Sequence, residues 1–471
     1  MQLDRTLGWV LAAAMGISPY GPVPADGHAP DASFDGVWHQ RGYGRLLEIR
    51  GARAKVFDSN SVECHASVEE PVGELGTLVR VAPGRVELRY GINTYRLDRI
   101  EALPARCTTP PADPTDPLLN FDSLWDTLRV HYPFFERRGV DWPALRKKYR
   151  PRLAPDSTDP VLFDTLEAML GELRDGHVKL ERPDTLPHPA ASGGDHGEPS
   201  NFELSRQAQQ AILERHVRDV RQYNAGIVRW GMVDPRVGYV QLNSMLMLAD
   251  YGLEPTEDLR EFFGRYFAHA EDRINQYQDE VEGARNLVGR MLADLGDADS
   301  IILDLRFNGG GKDGAALEFL RPFVDAPYRA FSKVARDADG NASPNWIQMT
   351  PAARGFDGRV FVLTSPATAS AAEILVLASL PLPRVVRIGS ATEGIFSDSL
   401  DKTLPNGWEY TLSNEVYATP DGRLFEGTGI PPDHAIAYPR QVRAFYRQVI
   451  EQAPSGDPAI EMALRIAHEN R

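Results

Sequence analysis

Ser370 sits where two sequence patterns meet. Val360-Phe361-Val362-Leu363 is a short apolar run of the kind that forms a fully buried strand, and residues 371–378 are mostly good helix formers. A hydroxyl at such a joint is presented at the end of a sheet. Neighbouring N–H groups point the same way, and the helix N-terminus favours negative charge, which is what an acyl-transfer nucleophile needs. Serine is also a preferred N-cap, so the position alone carries two readings. Upstream, Ile301-Ile302-Leu303-Asp304-Leu305 is a second strand-like run, and Asn308-Gly309-Gly310-Gly311 follows it. Glycines there let backbone N–H groups approach a ligand closely. The Gly310 and Gly311 amides, with the amide of Ala371, then form an oxyanion hole for a developing negative charge. A tight strand-to-helix turn is the competing reading. A phosphate loop is a third, but Gly311-Lys312 is followed by Asp313 instead of Ser or Thr.

These residues need a frame. Strand-like runs at 237–242, 301–305, 361–364 and 384–389 alternate with helical patterns, which predicts a layered α/β domain over residues 230–440. Within it, residues 257–295 read as a long, charged, exposed helical excursion, and Asn406-Gly407 as a hairpin turn. Residues 410–417 and 423–425 read as β, and 202–223 as a charged helix. Ahead of this domain, residues 118–180 are helical: Phe121, Leu124, Trp125 and Leu128 recur at helical spacing, as do Leu162, Leu166, Met169, Leu170 and Leu173. Asp175-Gly176 ends the second of these helices, so His177 begins a strand or loop at its exit. Residues 31–108 hold short β runs between Gly, Asp, Asn and Pro turns, predicting a small all-β barrel or sandwich. A structural role is expected for it, separate from the catalytic core and joined through the Pro- and Asp-rich residues 109–117. Residues 441–471 read as C-terminal helices.

Four motifs in order resemble the tail-specific, or C-terminal-processing, serine peptidase family, which includes the tricorn core protease. They are Asp304-Leu305-Arg306-Phe307-Asn308-Gly309-Gly310-Gly311, Thr368-Ala369-Ser370-Ala371-Ala372-Glu373, the stretch 389–394, and Gly427-Thr428-Gly429-Ile430-Pro431-Pro432-Asp433. The stretch 173–178 resembles the same family's helical signature, and the likeness covers about residues 118–440. It implies a crotonase/ClpP-like ββα-spiral catalytic core and peptide-bond hydrolysis. The processing branch uses a Ser-Lys dyad with lysine in Thr-x-Gly-Lys. Here the motif reads Thr392-Glu393-Gly394-Ile395, and Lys402 lies off it. The tricorn-like branch uses a histidine base, which matches His177, and a supporting glutamate, which matches Glu426; its serine beside the histidine is Gly176 here. Histidine suits general-base work near neutral pH. His131 and His216 are lesser candidates. Residues 179–236 lack the pattern of the PDZ domain that many processing proteases carry, so none is expected, nor a strict preference for free C-termini. The same fold family extends to retinoid-binding proteins, so a catalytically inactive binder of a hydrophobic ligand or peptide is the alternative.

The formal net charge of −15 over 471 residues argues against nucleic acid, which wants clustered Lys and Arg. No stretch after the N-terminus is apolar and long enough to span a bilayer. No Cys/His cluster suggests a metal, and no cofactor is implied. Arg5, an apolar segment over 7–17 and Val23-Pro24-Ala25 predict a secretory signal over residues 1–25, hence a periplasmic or secreted protein. In such a compartment Cys64 and Cys107 form either a disulfide or two unrelated thiols. A peptide or protein is the expected partner; the sequence leaves the oligomeric state open.

Overall fold

The computed structural model describes residues 34–469, except 110, 188–197, 255, 257, 272–275, 339, 341 and 342. The predicted signal segment lies outside the described residues. The first element is a seven-stranded antiparallel sheet, with β1 (Gly36–Gln40), β2 (Arg45–Arg50), β3 (Arg53–Ser59), β4 (Cys64–Pro71), β5 (Thr77–Ala82), β6 (Arg85–Tyr90) and β7 (Asn93–Ile100) in the order β4-β3-β2-β1-β7-β6-β5. Alternation builds it: Val86, Leu88 and Tyr90 of β6 turn inward, while Arg85 and Arg89 face out. It is one sheet with β4 and β5 as edges, where a barrel or sandwich was expected. Cys64 and Cys107 are disulfide-bonded, tying β4 to the short helix Ala105–Thr108 at the end of the module.

The module does not stand apart. Trp38, Leu47, Val56, Leu88 and Leu97 share one apolar cluster with α1 (Pro117–His131) and α3 (Asp159–Gly171), through Phe121, Leu124, Leu128, Phe163 and Leu166. The short α2 (Trp142–Tyr149) completes the helical layer. The same cluster reaches Tyr277, Leu400, Tyr410 and Leu412 of the following domain. The expectation of a separate module is corrected accordingly: its inward face is buried against the rest of the chain.

The main sheet runs β20-β16-β15-β12-β11-β10-β9. Its members are β9 (Arg218–Tyr223), β10 (Val228–Asp234), β11 (Val237–Leu242), β12 (Ser300–Asp304), β15 (Arg359–Thr364), β16 (Val385–Gly389) and β20 (His434–Ala435). Strands β11, β12, β15, β16 and β20 are parallel neighbours, and β9 and β10 are antiparallel. Val240, Leu242, Ile301, Leu303, Val360 and Val362 face one apolar layer, and Val237, Tyr239, Ile302, Phe361 and Leu363 face the other. Covered on both sides, these strands read as continuous apolar runs.

On the first face lie α5 (Leu259–Glu271), α6 (Gln276–Asp294), α7 (Asp313–Leu320) and α8 (Ala371–Ser379); on the second lie α4 (Asn201–His216), α9 (Val442–Gln452) and α10 (Pro458–Glu469). The expected exposed excursion is therefore a core layer: Phe262, Phe263, Tyr266, Leu287 and Met291 are buried. Charges on the outer stripe masked the apolar one. Residues 218–223 are a strand where a helix was expected, and 423–425 are irregular where β was expected. Two small three-stranded sheets flank the site, β14-β13-β19 and β17-β18-β8, from β8 (Lys179–Leu180), β13 (Tyr328–Ala335), β14 (Asn345–Met349), β17 (Ser399–Thr403), β18 (Glu409–Ser413) and β19 (Glu415–Ala418).

Candidate active site

Ser370 follows the carboxyl end of β15, and the glycine loop follows that of the adjacent parallel β12; such strand ends are where open α/β sheets bind ligands. Hydrogen bonds lock the two loops together. Ala369 N–H donates to the Asn308 carbonyl at 3.0 Å, Thr368 Oγ1 to the Leu305 carbonyl at 2.9 Å, and Ser365 Oγ to the Arg306 carbonyl at 2.6 Å. Arg306 beneath them is fully buried, paired with Asp304 at 2.6 Å and Asp457 at 2.8 Å. Ser370 itself has φ 52° and ψ −127°, a conformation a non-glycine residue holds only when its surroundings impose it. Here it turns the chain sharply from strand to helix.

The glycines are needed for space. A Cβ on Gly310 would lie 2.6 Å from Ser370 Cβ, and one on Gly311 would lie 2.4 Å from the Met245 carbonyl carbon. The Gly310 N–H, however, donates to Asn308 Oδ1 at 2.9 Å. Of the three N–H groups expected as oxyanion donors, that of Gly310 is therefore already spent inside its own loop. Among the described residues the Gly311 and Ala371 N–H groups donate to no protein acceptor.

Glu373, one helical turn past Ser370, is buried and gathers the third loop. It accepts from Thr392 Oγ1 at 2.5 Å, Gly394 N–H at 2.8 Å, Ile395 N–H at 2.8 Å and Ser370 N–H at 3.3 Å. Burial outweighs these donors and pushes its carboxyl up to about 8. Ile395, at the position of the lysine in the resembled motif, has its Cδ1 3.3 Å from where a Gly176 Cβ would stand. The two departures from the family's two base arrangements thus face each other.

His177 is buried and lines one cavity with Ser370 and Gly311. Its backbone is pinned: its N–H donates to Asp175 Oδ1 at 3.0 Å, and its carbonyl accepts from Thr411 Oγ1 of β18 at 2.8 Å. Asp175 is held in turn by Tyr132 Oη at 2.9 Å, Ser413 Oγ at 3.2 Å and Arg138 at 3.3 Å. The ring is held by a hydrogen bond with the Ser397 backbone. Nδ1 is buried and has no hydrogen-bond partner among the described residues. Burial holds the imidazole below its ordinary pKa, so the neutral base is favoured.

Glu426 is buried nearby in a turn, but it does not partner the ring. Oε1 pairs with Arg138 at 2.8 Å, and Oε2 accepts from the N–H groups of Phe396 at 2.9 Å and Ser397 at 3.2 Å. Burial first, then Asp175, push its carboxyl up to about 7. The expected His177–Glu426 contact is absent among these bonds, because a guanidinium and two amides occupy both oxygens. The lesser candidates lie elsewhere. His131 Nδ1 meets the Arg336 carbonyl at 3.2 Å, His216 ends α4, and Lys402 is bonded to Asp58 at 2.7 Å; none lines the cavity.

Sequence reasoning missed the opposite wall. Tyr43, Arg45, Asn93 and Tyr95 of the N-terminal sheet line the same cavity, as do Lys312, Asp313, Asp398, Asp401 and Glu415. Only Lys312, next to Gly311, carried a local signal. Among the described residues no cluster of His, Cys, Asp and Glu is placed to hold a metal ion, and no helix is long and apolar enough to cross a membrane.

The fold and the serine–glycine constellation define the class. Residues 236–436 match Peptidase family S41, and residues 114–171 match the tricorn protease C1 domain. It is 28% identical to a probable CtpA-like serine protease of Staphylococcus haemolyticus, over 36% of this chain and 33% of that one, so the match spans about a third of the relative's length. A putative peptidase from Parabacteroides merdae superposes with TM-score 0.55 at 22% identity, covering 75% of this chain and 97% of that one. A photosystem II D1 C-terminal processing protease gives TM-score 0.41 at 16% identity, covering 71% and 97%. Both matched family regions leave out the N-terminal sheet that lines the cavity.

Proposed function

We propose that the chain is a serine endopeptidase that cleaves peptide or protein substrates through an acyl-enzyme on Ser370, with His177 as general base. The carrying observation is the cavity shared by Ser370, His177 and Gly311, with Ser370 in a conformation its surroundings must impose. In this reading His177 takes the Ser370 proton as Oγ attacks the carbonyl carbon. The Gly311 and Ala371 amides bind the oxyanion, and His177 returns the proton to the leaving amine. Water, deprotonated by His177, then attacks the ester and restores Ser370. The Cys64–Cys107 bond supports an exported, periplasmic or secreted protein.

Lys312 lines the same cavity, and burial lowers its pKa, so it is the competing base. The pH profile of kcat/KM separates the two. Burial favours neutral histidine, so a His177 base predicts an acid limb below histidine's ordinary value of about 6.5. A limb above about 7.5, lost in Lys312→Met, would assign the base to lysine. Labelling by a serine-directed phosphonate at Ser370 tests the enzyme against the inactive binder on the same fold; an unlabelled Ser370 with no peptidase turnover favours the binder.

A further inference from the structure

The wall facing Ser370 has more acceptors than donors. Asp313, Asp398, Asn414, Glu415 and Asp401 line it. The buried cation behind them is Lys333, whose Nζ lies 2.5 Å from Asp398 Oδ2, 3.1 Å from Glu415 Oε2 and 3.9 Å from Asp313 Oδ2. Arg45 and Lys312 also reach the cavity, but Arg45 is shared with Asp58 at 3.4 Å. Four carboxyls thus face two lysines and one divided arginine. Burial, reinforced by the neighbouring Asp398, pushes Asp313 and Glu415 up to about 7, and burial does the same to Asp401.

A second observation points the same way without reference to charge. Asn414 is 1% exposed; its Nδ2 donates to the Gly42 carbonyl at 3.1 Å, while its buried Oδ1 accepts nothing among the described residues. Glu415 Oε2 is ion-paired with Lys333 at 3.1 Å, so Asn414 Oδ1 is the open acceptor of this wall. Buried acceptors left open are costly unless a ligand supplies donors.

Resting on the peptidase reading above, we infer that this wall is a subsite for a cationic group of the substrate, a guanidinium or ammonium seated beside the scissile bond. Such a group brings several N–H donors and a positive charge to a place where carboxyls outnumber cations. Its source is either an Arg or Lys side chain or a free peptide N-terminus. Tyr43, Asn93 and Tyr95 close the site from the N-terminal sheet, so that module shapes specificity.

The test uses Ser370→Ala protein, titrated calorimetrically with acetylated peptide amides carrying Arg or its neutral isostere citrulline, scanned through each register. The same peptides with free N-termini form a second arm. Arg is expected to bind about ten-fold or more tighter than citrulline at one register, with the ratio falling below about three-fold in an added Asp313→Asn, Asp401→Asn pair. Preference for the free amine instead supports the subsite and assigns its source to the N-terminus. A ratio near one in every peptide overturns it, as does a ratio unchanged by the pair. Should the pair fail to fold, the ratio on Ser370→Ala protein decides alone. Phosphonate labelling of the unsubstituted protein judges the peptidase reading separately. A labelled Ser370 without charge preference sinks only the subsite, and charge preference without labelling or turnover sinks only the peptidase.

Discussion

The loops that carry Ser370 and the segments that carry His177 face one cavity, yet they are held differently. Around Ser370, three loops are cross-bonded through Asn308, Thr368 and Glu373, and none of their buried side-chain polar atoms is left without a partner. Around His177, the ring Nδ1, Arg138 Nε and Asn414 Oδ1 are buried and have no hydrogen-bond partner among the described residues. The first region grows from adjacent parallel strands, where sheet register sets every distance. The second is assembled from a helix exit, two hairpins and the N-terminal sheet, so its partners arrive from distant parts of the chain. The contrast teaches that the Ser370 side is pre-set, whereas the His177 side keeps polar atoms for which a bound ligand can supply partners.

The predictions bear on that contrast. The largest effect is expected at the pre-set side: Ser370→Ala should lower kcat by at least about 10⁴-fold with the fold intact. Full activity in that variant would remove Ser370 from the mechanism. On the base side, His177→Ala should cost about 10³-fold or more in kcat, and the acid limb of the remaining activity should disappear. An unchanged profile would show that His177 is not the base.

Glu426→Gln sharpens the comparison further. A carboxylate orienting the ring would cost about 10²-fold or more in kcat with little loss of stability. Its observed bonds to Arg138, Phe396 and Ser397 predict the reverse: under about ten-fold in kcat and about 1–3 kcal/mol of stability, because Arg138 loses part of its buried counter-charge. Urea unfolding and kinetics on one preparation decide it.

Replacing Cys64 and Cys107 by alanine should destabilise the N-terminal sheet by about 2–4 kcal/mol through the lost 43-residue cross-link. Because that sheet lines the cavity, KM should rise several-fold more than kcat falls. An unaltered KM would deny the module a part in the site.

The smallest effect tests the strain. Ser370→Gly should raise stability by about 1 kcal/mol while abolishing turnover, since glycine adopts φ 52° freely. Destabilisation would mean that the serine is no strain point.

Much of the nucleophile side was legible because it is local. An apolar run, a small-residue turn and a helix place Ser370, and a strand followed by glycines places the Gly311 N–H; both patterns lie within a few residues of the groups they position. The protonation-competent His177 was legible only through the resemblance of 173–178 to a family signature, since one histidine at a helix exit carries no signal of its own. The failures share a cause. Whether Gly310 N–H is free depends on one Asn308 rotamer. Whether Glu426 meets the ring depends on Arg138, distant in sequence. The burial of α5 and α6 depends on a sheet whose strands flank them in the chain.

The sequence by itself determined the layered α/β domain, the elbow at Ser370, the absence of a lysine at 395 and the presence of a β module, because each follows from side-chain periodicity or from the identity of one residue. Only the tertiary structure decided that this module walls the cavity, that Cys64 pairs with Cys107, and that Lys333 sits among Asp398, Glu415 and Asp313. Those are contacts between residues remote in sequence. No local pattern encodes them, because what fixes them is the burial of apolar faces from separate segments against one another, and the polar groups are carried to where that packing leaves them.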